Sequence, residues 1–237
     1  MKCSICLSTY DRPKHLRQVL ESIFRQRPPF DFEVCVADDC SPTREPTDVC
    51  ARFPVKYQRI EREPGYRNPA RGRNVAYRLA TGDVIIAQSD DVIHVTENCI
   101  ERLVSNLKPA GEFLIATVVN VGEDLKPSSF PIPVFTGLAC QRPFFFLGSL
   151  WRRDLYAIGG NDPDFVHPGF DDNWFADCLM EGLHLKPRYM DDILGYHIDH
   201  PRPDDLHVVA EYARAVYLGK KKDAQRSKVW CSKGGPW

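Results

Sequence analysis

The sequence lacks any run close to the roughly 18 consecutive apolar residues of a membrane span, which excludes an integral helical membrane protein. An excess of one charge is also missing, since 31 Lys and Arg face 32 Asp and Glu for a net charge of -1. No internal repeat or low-complexity block is present, which excludes collagen-like, coiled-coil and disordered chains. The opening Met1-Lys2-Cys3-Ser4-Ile5-Cys6-Leu7 is too short and too polar for the apolar region of a signal peptide. A regular cysteine framework is absent too. The nine Cys are odd in number and mostly scattered singly. They fit reduced thiols and a cytoplasmic setting better than a secreted disulfide scaffold. Cys3 and Cys6 form a CxxC, but on a predicted strand positions i and i+3 point to opposite faces. Buried thiols are expected there, not a metal or redox pair. What is present is ordinary globular material: 237 residues, 43% hydrophobic and 27% charged. That suffices for one sizeable core.

Lys2 to Ser8 is a short apolar run that predicts a buried strand. Pro13 is placed to open a helix, and Leu16, Val19, Leu20 and Ile23 follow at helical spacing. Pro28-Pro29 ends it. Glu33 to Ala37 predicts a second strand ending at Asp38-Asp39, and Val55 to Ile60 a third. Pro69 to Ala80 reads as a helix closed by Gly82. Asp83 to Gln88 is a fourth strand, ending at Ser89-Asp90-Asp91. A helix over Thr96 to Leu107 and a strand from Phe113 to Val119 follow. This alternation predicts an α/β fold with a mostly parallel sheet and helices on both faces. Ligands in such sheets sit at the carboxyl ends of strands. After Gly122, Pro127, Pro131, Pro133 and Pro143 break the pattern, as do Gly148, Gly159 and Gly160. Helices are expected over Phe170 to Gly182 and Asp205 to Leu218. The expected organisation is one domain in two halves, residues 1–121 and 122–204, followed by a helix with a basic tail over 205–237.

Five adjacent Asp pairs occur, at 38-39, 90-91, 171-172, 191-192 and 204-205. Adjacent carboxylates repel, so a partly buried pair needs a cation or hydrogen-bond donors. Asp191-Asp192 and Asp204-Asp205 read as solvated turns. Asp38-Asp39 and Asp90-Asp91 abut apolar strands and read as ligand sites, with Asp90-Asp91 suited to a hard divalent cation. Between them lie Arg59, Arg62, Arg67, Arg71 and Arg73, whose forks suit phosphate oxygens. Arg71-Gly72-Arg73-Asn74 falls near a helix N-terminus, which also favours anions. Together these point to a nucleoside diphosphate ligand. From Gly219 onward six Lys/Arg stand against one Asp, leaving -6 on the remainder. That tail is expected to be a solvated, frayed end; contact with a membrane surface or nucleic acid is the alternative.

Several segments together resemble family 2 glycosyltransferases of the GT-A fold. They are Ser8-Thr9-Tyr10-Asp11-Arg12-Pro13, Val36-Ala37-Asp38-Asp39-Cys40-Ser41, Ala70-Arg71-Gly72-Arg73-Asn74-Val75-Ala76 with Ala80-Thr81-Gly82-Asp83, and Ser89-Asp90-Asp91. Ile158-Gly159-Gly160-Asn161-Asp162, Gly169-Phe170-Asp171-Asp172 and Tyr196-His197-Ile198-Asp199-His200-Pro201 complete the series. Each is weak alone; their order over residues 2 to 201 carries the resemblance. It implies inverting transfer of a sugar from a nucleotide-diphosphate donor, a UDP-sugar by family frequency, to a hydroxyl of a glycan, lipid-linked or other acceptor. Thr9, Asp11, Asp38, Asp39, Arg71, Arg73, Asn74 and Asp90 would bind the donor. Asp91 and His197, or His200 in its place, would hold Mn2+ or Mg2+. Asp172 would be the general base, with Asp171 and Trp174 on the acceptor side. Phe144-Phe145-Phe146 could stack on a sugar, although three consecutive aromatics are more often core. Gln88 and Ser89 stand where many relatives have an acid, which leaves the metal register open by one residue. The competing readings are a nucleotidyltransferase, for which the loop after the first strand lacks glycine, and a non-catalytic glycan-binding module.

Overall fold

The computed structural model describes residues 2–61, 63–128, 134–135, 143–201, 204–233 and 235–237. Arg62, Pro131 and Pro133 lie outside them. Four parallel strands form one half of the sheet: β1 (Cys3–Thr9), β2 (Phe32–Asp38), β3 (Val55–Arg59) and β4 (Val84–Gln88). Helices α1 (Pro13–Phe24), α2 (Glu45–Cys50) and α3 (Ala70–Leu79) connect them. β1 is buried along its whole length, because helices cover both of its faces. Cys3, Ile5 and Leu7 pack into one hydrophobic cluster with Leu16, Leu20 and Ile23 of α1. Cys6 enters the other, with Ala76 and Tyr77 of α3. The CxxC cysteines therefore sit on opposite sides of the sheet, and burial pushes both thiols up.

The second half of the sheet mixes directions. Its strands are β5 (Val92–His94), β6 (Glu112–Val121), β7 (Val134–Phe135), β8 (Leu147–Trp151) and β9 (Lys186–Ile198), with α4 (Cys99–Ser105) before β6. The order across the sheet is β3-β2-β1-β4-β8-β6-β9-β5, with β7 paired to β6. β8 is antiparallel to β4, and β6 and β9 run parallel to each other. The α/β class with a mostly parallel sheet holds, but β5, β8 and β9 were not expected. β9 contains Asp191-Asp192, read as a turn. The register against β6 slips between Ala116 and Thr117, so Asp191 and Asp192 bulge out exposed while Ile193 stays buried.

α5 (Arg152–Ala157) and α6 (Asp171–Asp177) follow β8, and α6 runs into a π-helical turn over Cys178–Gly182. The expected helix over Phe170 to Gly182 is thus present in two geometries. The final helix, α7, spans Leu206–Ser227, nine residues beyond the expected end. The tail is not frayed. Trp230 stacks on Trp174 with ring centroids 5.8 Å apart, and Trp237 packs edge-on to Tyr156. Lys220 lies 2.9 Å from the buried carboxylate of Asp162, Lys221 3.2 Å from Asp177, and Lys233 2.6 Å from Asp164. Gly160, at φ +70, leaves room for the Trp237 ring where a Cβ would overlap it. Among the described residues no helix is long and apolar enough to cross a membrane.

Candidate active site

Loops at the carboxyl ends of β1, β2 and β4 meet α6 and the end of β9 around a cleft of about 910 Å³. Three non-glycine residues on these loops have left-handed backbone: Asp11 (φ 53), Cys40 (φ 59) and Phe170 (φ 58). Such conformations cost energy and persist where the surrounding structure enforces them. Gly72, at the start of α3, lets that helix close onto the β1 end, since a Cβ there would overlap Ser8.

One end of the cleft is built on the turn between β4 and β5. Gln88 ties the turn from below: Nε2 donates to Val92 O at 2.6 Å, and Oε1 lies 2.8 Å from His94 Nε2. Gln88, one of the two residues weighed for the missing acid, thus has a structural place. Asp90 and Asp91 are buried, and Ile198 N–H donates to Asp91 O at 2.9 Å, joining the turn to β9. Asn120 of β6 is in register with His197 of β9. His197 Nδ1 donates to Asn120 Oδ1 at 2.7 Å, which turns Nε2 toward Asp91 Oδ1 at 3.4 Å. Asp91 Oδ1 is buried and has no hydrogen-bond partner among the described residues. A buried carboxylate oxygen without a donor, beside an imidazole nitrogen, is an arrangement a cation relieves. Ligand atoms of Asp91, His197 and His200 all lie within 4.8 Å of one another. Carboxylate and imidazole donors suit a divalent ion such as Mn2+.

Arg12, quoted above only as part of a motif, is the cation of this cluster. Its Nη1 is 2.6 Å from Asp91 Oδ2 and 3.3 Å from Asp90 Oδ1. Burial raises the Asp90 carboxyl above its usual range, and neighbouring Asp91 adds to the rise while Arg12 opposes it. Burial also acts on Asp91, but His197, Arg12 and His200 outweigh it and hold that carboxyl low. His200 is held below the ordinary histidine value by burial and by Arg12.

The other end holds Asp171 and Asp172 at the start of α6. Arg73 Nη1 donates to Asp172 Oδ1 at 2.9 Å and lies 3.6 Å from Asp171 Oδ2. Asp171 is buried and accepts from Gly169 N–H at 3.1 Å, while the Asp172 side chain is 21% exposed and lines the cleft. Burial, with repulsion from Asp172, pushes the Asp171 carboxyl up to about 6.

The cleft brings together Thr9, Asp11, Asp39, Arg73, Asp90, Asp91, Asp171, Asp172, His197 and His200. Four expected residues do not line it. Asp38 caps its own loop, accepting from Ser41 N–H and Oγ–H at 2.8 and 2.7 Å and from Tyr57 O–H at 2.8 Å. Arg71 lies over the Tyr66 ring and pairs with Glu63 at 3.1 Å. Asn74 exchanges hydrogen bonds with the Asn161 backbone. Trp174 is buried, donating to Asp162 Oδ2 at 3.1 Å. Arg73, expected at the diphosphate or ribose, is engaged by the acid pair. Of the other described arginines in that stretch, Arg59 donates to Ser41 O at 2.6 Å, and Arg67 lines the cleft but pairs with Asp205 at 2.7 Å. Phe145 is core, stacked on Phe113, whereas Phe144 and Phe146 line the cleft. Arg12 was legible as a motif residue; Asn120 carries no motif and becomes visible only through the β6–β9 register.

Residues 4–162 match the model of "Glycosyl transferase family 2". The chain belongs to that family. TarS of Staphylococcus aureus, a poly(ribitol-phosphate) beta-N-acetylglucosaminyltransferase, is 34% identical over 100 residues, covering 40% of this chain and 17% of TarS. An uncharacterized glycosyltransferase of Bacillus subtilis, YfnE, is 33% identical over 222 residues, covering 84% of this chain and 50% of YfnE. The chain thus spans half or less of these curated relatives. In fold it resembles the mannosyltransferase PcManGT from Pyrobaculum calidifontis, solved with GDP-Man and Mn2+. The TM-score is 0.63 at 20% identity, covering 94% of this chain and 64% of that one. S. aureus TarS 1-349 in complex with UDP gives 0.61 at 20% identity, covering 92% and 65%. The GT-A-like fold is therefore established, and family membership removes the nucleotidyltransferase reading.

Proposed function

We propose that the chain transfers a sugar, with inversion, from a nucleotide-diphosphate donor to an acceptor hydroxyl, using Mn2+ or Mg2+. The observation that carries this is the two-ended cleft: an Asp91, His197 and His200 cluster at one end and the Asp172 carboxylate at the other. A UDP-sugar is favoured by the neighbour solved with UDP, although the neighbour solved with GDP-Man keeps a guanine donor in the test set. The acceptor is a polyol, glycan or lipid-linked hydroxyl.

Thr9, Asp11 and Asp39 lie on the β1 and β2 loops and would bind the nucleoside. Asp91 and His197, with His200, would hold the cation, which supplies positive charge for the departing diphosphate. Arg73 fixes Asp172 by its Oδ1 and leaves Oδ2 to accept the acceptor's proton. As that proton moves, the acceptor oxygen bonds to the anomeric carbon. The bond from that carbon to the diphosphate oxygen breaks, and the electron pair leaves with the nucleotide. One base and no separate nucleophile give a single displacement. Phe144 and Phe146 offer aromatic faces in the cleft for the sugar.

A thermal-shift screen of UDP, GDP, dTDP and their sugars, with and without Mn2+, tests this. Selective, Mn2+-dependent stabilisation by one nucleotide series is expected. A folded protein that responds to none of them would overturn it. A non-catalytic module would bind but release no nucleotide when supplied with donor and acceptors.

A further inference from the structure

Arg12 occupies the atoms that a cation would need. Its Nη1 takes Asp91 Oδ2 at 2.6 Å, and its Nη2 lies 3.0 Å from His200 Nε2 and 3.1 Å from Nδ1. Near-equal distances to both ring nitrogens set Nη2 against the imidazole, not along one in-plane lone pair, and there it crowds the nitrogen a metal would bind. A divalent ion placed beside the guanidinium would also be repelled by it. Yet the site needs some cation, because the Asp90 and Asp91 side chains are only 7% and 4% exposed. The Arg12 side chain is 31% exposed and lines the cleft, so open space lies beside it.

We infer that Arg12 is the resident cation of the Asp90–Asp91 pair, and that it must leave Asp91 and His200 for a divalent ion to bind, moving onto the donor's diphosphate. The inference rests on the metal and diphosphate reading above. Its consequence is that metal and nucleotide diphosphate bind as a coupled pair. The diphosphate gives Arg12 a new anion, and the freed carboxylate receives the metal. The coupling is reciprocal: nucleotide tightens metal by the same factor as metal tightens nucleotide.

Calorimetry on the full chain tests it, titrating Mn2+ alone, UDP or GDP alone, and Mn2+ with nucleotide present, for the parent and Arg12→Gln. The parent should bind Mn2+ at least tenfold tighter with nucleotide than without. Arg12→Gln should bind Mn2+ alone about tenfold or more tighter than the parent and lose most of the nucleotide-induced gain. Its Tm should fall in EDTA and recover in Mn2+. If Arg12→Gln does not fold, Arg12→Lys replaces it. A single ammonium cannot span Asp91 and His200 as a fork does, so Mn2+ alone should again bind tighter than to the parent. A folded variant that binds Mn2+ no tighter than the parent overturns the inference and leaves the metal site standing. Absence of Mn2+ binding in parent and variants alike, with or without nucleotide, overturns the metal reading and the inference together.

Discussion

Asp171 and Asp172 are neighbours in sequence with different surroundings, and substitutions should separate them. Asp172→Asn keeps shape and the Arg73 contact but removes the proton acceptor. Donor Kd should stay within a few-fold while turnover drops about 100-fold or more. Asp171→Asn should lose less turnover, because Asp171 is buried against Gly169 and takes no proton. Equal, modest losses that track Tm would mark the pair as a helix start favoured by the dipole and remove Asp172 from the mechanism. Asp171 also sets a pH dependence. Its carboxyl is raised from 3.8 to about 6 in the folded state. The native state therefore keeps this proton longer than the unfolded chain does. The group's stabilising contribution is full below about pH 4 and is lost as pH rises toward about 6. Asp171→Asn should remove this slope, so its Tm relative to the parent should rise between pH 4 and pH 7. An unchanged difference across that range would contradict the assignment. Tyr66 offers a simpler case. Its hydroxyl oxygen is buried and has no partner among the described residues, which costs roughly 1–3 kcal/mol. Tyr66→Phe should leave Tm unchanged or raise it; a clear fall would reveal a partner for the hydroxyl.

At the scale of elements, legibility followed the kind of contact that shapes each one. β1, β2 and β4 are short, apolar and buried on both faces, and each ends in a polar turn, so local pattern sufficed. β9 begins Lys186-Pro187, carries Asp191-Asp192 in its middle and Gly195 near its end. Its strand state comes from pairing with β6 and β5, partners far away in the chain. The basic tail was misread for a related reason: its lysines look solvated until their distant acids are known. Lys220 faces Asp162, whose side chain is fully buried. Lys220→Ala should cost about 1.5–3 kcal/mol by taking the cation from that carboxylate, which keeps hydrogen bonds from Trp174 Nε1 and Lys233 N–H. Removal of residues 228–237 should lower Tm by several degrees, because it strips Trp230 from Trp174 and Trp237 from Tyr156. Chemical denaturation of both variants checks this. A truncated chain as stable as the parent would restore the reading of a peripheral tail. With Lys220, Lys221 and Lys233 paired internally, the tail's net attraction for nucleic acid or an anionic membrane is smaller than its composition suggests.

Across the whole molecule, two hydrophobic clusters on opposite faces of one sheet hold the cleft's ends at fixed separation. The loops after β1, β2 and β4 hang from parallel strands, while the acid pair hangs from α6, which α7 and the tail brace from behind through Asp177 and Trp174. The sequence by itself determined the α/β class, the parallel half of the sheet, and the acids at its strand ends. Those follow from hydrophobic period, turn chemistry and the placement of charge, all of which act over a few residues. Packing settled which polar residues line the cleft and which face one another. Asp38, Arg71 and Asn74 found internal partners, Arg73 turned to Asp172, and Arg12 took the Asp90–Asp91 pair. Those choices depend on which strand lies beside which and in what register. A buried charge takes the nearest opposite charge in space, and distance in space is not written in distance along the chain.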